Sequence, residues 1–534
     1  MKLPEIRIKH YAEAIAVAGL LIIQFHFLSE RIDHCSLPSG DEGSWMSVAA
    51  QLCRGEGFTT RWLEFPFQKP YCLPRPDDYR YPALTMVLSL TFKLFGISFC
   101  TALWTVAAIA MLWAMAVFLV CRTCFGSKTA LLTMMLLIFS LLQLEWTTHV
   151  YTEGLFGLVL SLLVMCSVKA DFTKLRWWIA IGAMTGVLYY VRPNAILFLA
   201  GFAPLAFQQR SGTRLPWKFA GTALAAFFIV IAPWLVRNAL WFVNPFHFGG
   251  SGGLLKLSSD DPLTYSVIDF VRRYGVFQPV NAAIEGFVSF FTTLHFFEHG
   301  LEIVPFAFLC VGLGRRRRFY NGFVAGGIAV MFALCCYRSY NDDWSGSRYF
   351  SSIILFVYAY GVHELVVCFR SLESRITARW PLLRNPAGAA GMALCATVLL
   401  MPVFNPHRFY ERMYSSPPQT VFPHAEYAAK LKGLLSENRH YLAGSMAQVN
   451  FQWQYNCIGV QEYFDSTTVP KAMRTFNPGL AVFTNEELAR PRFRSVINEL
   501  GREGFTVTRQ DSISGVRFLT IAKATPAKSS AAHP

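Results

Sequence analysis

The feature that most constrains this chain is its run of apolar stretches long enough to cross a bilayer. A hydrocarbon core of ~30 Å needs about 20 mostly apolar residues in helical form. Eleven stretches fit that expectation: 11–29, 98–120, 129–144, 153–168, 177–191, 194–208, 220–236, 300–314, 319–337, 349–369 and 387–404. Several are shorter than the ideal, so tilt or adjoining turns must complete them, and the span at 300–314 is open at its start, with Phe290 as an earlier beginning. The composition agrees, with 54% hydrophobic and only 15% charged residues, where a soluble domain carries about 25% charged. Disordered, collagen-like and small disulfide-scaffold classes are excluded on the same ground. The first span follows Lys2, Arg7 and Lys9, but it is long for a signal peptide and no small-x-small cleavage site follows it. It is expected to be a retained anchor.

The placement of Lys and Arg orients the bundle. With the N-terminus in the cytoplasm, the inner segments hold Lys2, Arg7, Lys9, Arg122, Lys128, Lys169, Lys174, Arg176, Arg210, Arg214, Lys218, Arg315 to Arg318, Arg370, Arg375, Arg379 and Arg384. That is 19 basic residues in about 60 positions, against 14 in about 150 outside positions before the tail. The formal net charge of +15 is therefore mainly a topology signal, not a nucleic-acid surface. The expected architecture is a polytopic α-helical membrane protein of about 11 transmembrane helices, N-terminus inside and C-terminus outside. It would lie in the inner (plasma) membrane of a bacterium, with its working face in the periplasm.

Three outer segments are too long to be turns: about 30–80, about 237–299, and the tail from about 405. Residues 1–404 are expected to form the membrane domain and 405–534 a small periplasmic α/β domain. In the tail, strand patterns appear at His440 to Ala443, Leu480 to Thr484, Phe505 to Thr508 and Val516 to Ala522, with a helical pattern over Glu486 to Glu503. The last dozen residues are polar and small and are expected to be disordered. Of the 13 cysteines, Cys35, Cys53, Cys72 and Cys457 fall outside the membrane, where an oxidising compartment permits pairing. The Cys and His spacings match no zinc signature. Neither a phosphate-binding G-x-x-x-x-G-K-[ST] nor a G-x-G-x-x-G is present, so nucleotide-driven chemistry has no visible equipment.

The charged residues that remain gather on the outer side. Asp41-Glu42 begins a pattern (Trp45, Ala49, Leu52, Gly55) that suits a short interfacial helix with Ser39 or Asp41 near its N-cap. A carboxylate held at the outer surface can act as general base on a hydroxyl; the alternative is a helix-start acid in solvent. Lys69, Arg75 and Arg80 stand among aromatics in the same loop, as suits a lipid phosphate or an ordinary aromatic belt. Residues 81–96 read as an amphipathic or re-entrant helix. The short turn from Glu145 to Gly154 holds two acids and His149, and Glu153 is placed either for function or for the positive end of a helix. Arg192, Arg237 and Arg348 lie at outer ends of spans, where an arginine either meets a phosphate or snorkels.

These pieces, in this order, resemble membrane glycosyltransferases of the C superfamily, in particular the branch of protein O-mannosyltransferases and lipid A aminoarabinose transferases. The likeness rests on Asp41-Glu42 with Ala49, Leu52, Gly55 and Gly57; on Tyr81-Pro82 through Phe92-Lys93-Leu94-Phe95-Gly96; on Tyr151-Thr152-Glu153-Gly154-Leu155-Phe156; and on Arg192-Pro193, Pro233-Trp234-x-x-Arg237-Asn238 and Arg348-Tyr349. It covers roughly residues 10–370. The chain departs from the branch after Pro70, where Tyr71-Cys72-Leu73 and an insertion to Tyr81 replace the usual Lys-Pro-Pro-Leu. That leaves Lys69, Arg75 and Arg80 as alternative phosphate cations.

The resemblance implies transfer of a sugar from a polyprenyl-phosphate donor to a hydroxyl on a lipid, glycan or protein acceptor, with inversion. Asp41 and Glu42 would be the catalytic acids, and Lys69, Arg75, Arg80, Glu153, Arg192, Arg237 and Arg348 the donor or substrate contacts. No tightly bound metal or other cofactor is implied, and no nucleic-acid partner. A lipid transporter or flippase, and an oligosaccharide ligase or polymerase, are the competing readings. The outer crowding of charge and the lack of matched broken helices weigh against transport.

Overall fold

The computed structural model describes residues 3–33, 40–63, 70–195, 217–247, 267–292, 354–380, 440–443, 456–459, 468–489, 491–513 and 516–523, with isolated positions between them. The expected spans at 194–208, 300–314, 319–337 and 387–404 lie almost wholly outside these residues, as does the C-terminal end of the tail. Helix α1 (Leu3–Asp33) is followed by α2 (Gly40–Cys53), three two-residue strands β1 (Thr59–Thr60), β2 (Trp62–Leu63) and β3 (Arg75–Pro76), and α3 (Pro82–Phe95). Then come α4 (Phe99–Phe125), α5 (Ser127–Phe139), α6 (Leu141–Thr147), α7 (Glu153–Lys169), α8 (Leu175–Val191) and α9 (Trp217–Phe242). Helices α10 (Val267–Tyr274) and α11 (Gln278–Thr292) precede α12 (Ile354–Arg379).

Among the described residues, four helices are long and apolar enough to cross a membrane: α1, α4, α9 and α12. α4 has 27 residues, a length of about 40 Å. Ser98 caps its start by accepting the Thr101 N–H at 3.0 Å, and Gly126 ends it at φ 88°, a left-handed conformation that favours glycine. The span expected at 129–144 is two helices. Ser140 leaves the helical conformation (ψ 118°), and its hydroxyl accepts from the Gln143 N–H and from the Tyr358 hydroxyl at 2.9 Å. The uninterrupted apolar pattern hides this break, because one buried serine satisfied by α12 is enough to make it.

Close helix contact rests on glycine. A Cβ on Gly182 of α8 would lie 2.0 Å from the carbonyl oxygen of Ala223 on α9, and one on Gly157 of α7 would lie 2.3 Å from the Trp113 ring of α4. Without a water-driven force between spans, such backbone approach is what holds helices together.

The C-terminal part is a sheet with helices. Strands β4 (His440–Ala443), β5 (Asn456–Gly459), β6 (Leu480–Thr484), β7 (Phe505–Ile513) and β8 (Val516–Lys523) are joined by α13 (Thr468–Phe476), α14 (Asn485–Ala489) and α15 (Pro491–Arg502). The strand order is β2-β5-β4-β6-β8-β7. Its outermost member on one side, β2, comes from the first outer loop and runs parallel to β5. The sheet has its own apolar core, which includes Leu442, Ile458, Met473, Phe483 and Leu519. The helical pattern expected over 486–503 corresponds to α14 and α15, with residue 490 between them outside the described residues, and neither β5 nor β2 stands out in the sequence.

The Gly182→Ala variant should lose about 1–3 kcal/mol from overpacking at the α8–α9 contact. Gly221→Ala, on α9 with open space around its Cβ position, should change little. Thermal unfolding of both in detergent separates the two cases.

Candidate functional site

The first outer loop folds back on itself. Gly55 and Gly57 turn the chain out of α2 with φ of 82° and 76°, a conformation that disfavours side chains. β1 then pairs with β3, Thr60 opposite Arg75. The next five residues, 76–80, bring Asp77, Asp78 and Arg80 against three neighbouring elements.

Arg80 reaches the first turn of α2. Its Nη2 donates to Asp41 Oδ1 at 2.9 Å and its Nε to Ser44 Oγ at 2.9 Å. The guanidinium stacks between Tyr79, 4.4 Å from the ring centroid, and Trp45, 5.3 Å. Arg80 is nearly enclosed, but the Asp41 side chain keeps 30% of its surface open. Glu42, one residue on, is 2% exposed. It accepts the backbone N–H of Val150 at 2.8 Å and meets His149 Nδ1 at 3.1 Å. The two adjacent acids therefore face different tasks: Glu42 ties α2 to the turn between α6 and α7, while Asp41 is held at an open edge by Arg80.

Asp78 is shared. Oδ1 accepts from Arg75 Nη2 at 2.8 Å, and Oδ2 lies 2.9 Å from His247 Nε2. Arg75 has no exposed side-chain surface. Burial pushes the Asp78 carboxyl upward, but the His247 hydrogen bond and the Arg75 charge outweigh it and hold the group below its ordinary value. Asp77 is the opposite case. Burial, helped by the Asp78 charge, raises it against Arg75 and against the N–H groups of Tyr79 and Arg80, which donate to its Oδ1 at 3.1 and 2.7 Å.

Arg237, from the outer end of α9, closes the loop from behind. It donates to the carbonyls of Phe58 and Asp77 and to Asn238 Oδ1. Its planar face packs on Trp234, Phe58 and Phe242. His247 stacks on Phe242 with ring centroids 4.4 Å apart. A third pair lies deeper. Arg192, just after α8, donates to Thr152 Oγ1 at 2.7 Å and to Glu153 at the start of α7.

The structure thus brings Asp41 and Arg80 together, Arg75 and Arg237 into the Asp77–Asp78 cluster, and Glu153 and Arg192 into a separate buried pair. Lys69 and Arg348 lie outside the described residues. His247 and Ser44 join the site without any signal in the sequence, since neither falls in a motif; His149 stands in a turn whose acids drew attention first. Cys53, Cys72 and Cys457 are free thiols, and Cys35 lies outside the described residues. Among the described residues no group of three or more His, Cys, Asp or Glu is arranged to hold a metal ion.

The family model for dolichyl-phosphate-mannose-protein mannosyltransferases matches residues 76–236, which include Arg80, Glu153 and Arg192. No curated protein sequence matches the chain at a significant level. Among solved structures, ArnT from Cupriavidus metallidurans bound to undecaprenyl phosphate superposes with a TM-score of 0.55 at 15% sequence identity, covering 95% of this chain and 97% of that one. The oligosaccharyltransferase of Archaeoglobus fulgidus, tethered to an acceptor peptide, superposes with a TM-score of 0.56 at 12% identity, covering 96% of this chain and 74% of that one. The resemblance to membrane glycosyltransferases of the C superfamily therefore holds at two levels: a family match over part of the chain, and a shared fold of apolar helices with a C-terminal sheet over nearly all of it.

Replacing Asp78 by alanine leaves the Arg75 charge buried beside a raised carboxyl, and should cost about 3–5 kcal/mol. Glu503→Ala, which breaks the exposed Arg474–Glu503 pair (3.2 Å), should cost under about 1 kcal/mol. Because the Asp78 value is depressed in the folded chain, its contribution is complete above the ordinary carboxylate range and fades as pH falls through the depressed value. Asp77, raised by burial, acts with the opposite sign. Unfolding midpoints of wild type and Asp78→Ala should therefore converge as the solution is acidified.

Proposed function

We propose that this chain transfers a sugar from a polyprenyl-phosphate donor to a hydroxyl acceptor at the extracytoplasmic surface of the membrane. The observation that carries the reading is the Asp41–Arg80 pair: a partly open carboxylate on the first turn of α2, fixed by a buried, stacked guanidinium. It is supported by the family match that begins at residue 76 and by the fold shared with a transferase that binds undecaprenyl phosphate.

In this reading Asp41 accepts the proton of the acceptor hydroxyl. The resulting oxygen attacks the anomeric carbon, the bond from that carbon to the phosphate oxygen breaks, and the lipid phosphate leaves with its electron pair. A phosphate ester is already a competent leaving group, so one base suffices, whereas glycosidases need a second carboxyl as acid. Attack opposite the leaving group inverts the configuration. For the same reason the step as drawn calls on no metal ion or other cofactor.

In this reading the roles divide by burial. Arg75, with no exposed surface, and Arg237, committed to two backbone carbonyls, shape the loop. Arg80 orients the base, and Glu42 positions α2 against the second outer turn. Arg192 and Glu153 fix the ends of α7 and α8. The departing phosphate calls for cations through charge-assisted contacts; Lys69 and Arg348, expected from the sequence, are the candidates this reading leaves for that role.

Removing the base should lower turnover by about 10²–10⁴-fold. The test is Asp41→Asn, purified and assayed by mass spectrometry with polyprenyl-phosphate sugars, alongside its affinity for undecaprenyl phosphate. Affinity near that of wild type with turnover lost is the expected result. Wild-type turnover in this variant would remove Asp41 from the chemistry. The added mass, one sugar or a whole chain, separates monosaccharide transfer from oligosaccharide transfer.

A further inference from the structure

The first outer loop is fastened to the C-terminal sheet at two places. β2 runs parallel to β5, with Trp62 opposite Cys457 and Leu63 opposite Ile458, and the Cys457 N–H donates to the Arg61 carbonyl at 2.9 Å. Trp62 is 2% exposed. Its indole lies where a side chain on Gly459 would be: a Cβ there would come within 2.4 Å of Trp62 Nε1. Further along, the Tyr71 ring lies 5.1 Å from that of Phe476 on α13, with Lys471 Nζ 4.8 Å above it, and Leu73 packs on the apolar core of the sheet. Burial at this second contact pushes the Tyr71 hydroxyl up to about 12. Between the docked pieces lies, in sequence, Lys69. Immediately beyond them come Arg75, Asp77, Asp78 and Arg80, which reach the Asp41 carboxylate and the end of α9.

We infer that the C-terminal domain is the brace of the donor site, and that the Trp62–Gly459 joint positions the first-loop cations relative to Asp41. The domain does this by supplying the sheet edge and the aromatic seat that the loop lacks. Residues 59–60 and 75–76 form only a two-stranded ribbon, which is marginal in isolation. Seated on a six-stranded sheet, the same loop has a fixed end. Trp62 is thus a positioning residue that acts through residues 70–80 and touches no substrate. This rests on the functional reading above, in that it assigns the loop to donor binding.

The experiment uses the full-length chain in lipid nanodiscs, with undecaprenyl phosphate as the probe. Trp62→Ala and Gly459→Val undo the joint, Trp62→Phe keeps an aromatic in it, and Ile521→Ala damages the sheet core (Ile521 is 3% exposed) away from the joint. Hydrogen exchange over residues 59–80 and the affinity for the probe are measured together. Trp62→Ala and Gly459→Val should speed exchange in this segment and weaken binding about tenfold, equivalent to about 1.4 kcal/mol. Trp62→Phe should restore both, and Ile521→Ala should lower the unfolding midpoint while moving neither. Faster exchange with unchanged affinity overturns the inference, and so does an equal loss of affinity in Ile521→Ala. If the wild-type chain does not bind the probe, the donor reading fails on its own account; the brace is then upheld if exchange responds to the joint and not to Ile521→Ala, and overturned otherwise.

Discussion

Hydrogen-bonded pairing of buried carboxylates with donors from segments far apart in sequence is the interaction on which the rest of this structure depends. Asp41 meets Arg80 across 39 residues, Glu42 meets Val150 across 108, Glu153 meets Arg192 across 39, and Asp78 meets His247 across 169. Most of these groups have almost no contact with solvent. A charge withdrawn from water at this depth is tolerated only with a partner and well-placed hydrogen bonds, so each pair admits few alternative placements of the loop that carries it. The apolar helices supply the bulk of the burial but discriminate weakly among loop arrangements. The paired carboxylates supply the discrimination.

Among the described residues, the arginines of the first loop and of the ends of α8 and α9 are committed to acids and backbone carbonyls. Arg237 spends its donors on the carbonyls of Phe58 and Asp77, Arg192 on Thr152 and Glu153, and Arg75 on Asp78. Among the described residues, Asp41 keeps an open face while being held by a guanidinium stacked on Tyr79 and Trp45. A reacting group has to satisfy both conditions at once. It must be fixed, so that little reorganisation is needed when charge moves, and it must be reachable.

Much of the helical frame was legible in the sequence, because twenty apolar residues admit few structures in a bilayer. α2 and α3 were legible too, from Asp41-Glu42 at a helix start and from Pro82 at a first turn with Gly96 at the end. Strands β4 and β6 stand where the pattern put them. The break at Ser140 was not legible: its hydroxyl caps α6 and accepts from Tyr358, 218 residues away. Nor was the β2–β5 pairing, in which a two-residue strand meets another almost 400 residues later. The arginines expose the general difficulty. Snorkelling, burial in an ion pair and binding a phosphate all call for the same residue at the same depth, so type and position cannot separate Arg75 from Arg80. Only the surroundings do: a sealed pocket for one, an aromatic stack opening onto Asp41 for the other.

The pairing of β2 with β5 also changes how the C-terminal domain is to be regarded. All four residues of β5 are buried, although without β2 it would be an edge strand with an unpaired row of backbone donors and acceptors. Exposed edges are normally blunted or covered. Here the cover is two residues of a loop that belongs to the membrane part, sealed by an indole in the space that Gly459 leaves empty. The sheet therefore depends on the loop for its edge, and the loop depends on the sheet for its anchor. The pairing thus ties the first loop to the C-terminal sheet. The segment that carries Arg80 to Asp41 is held at one end by α2 and the β1–β3 ribbon and at the other by β5, almost 400 residues further along the chain.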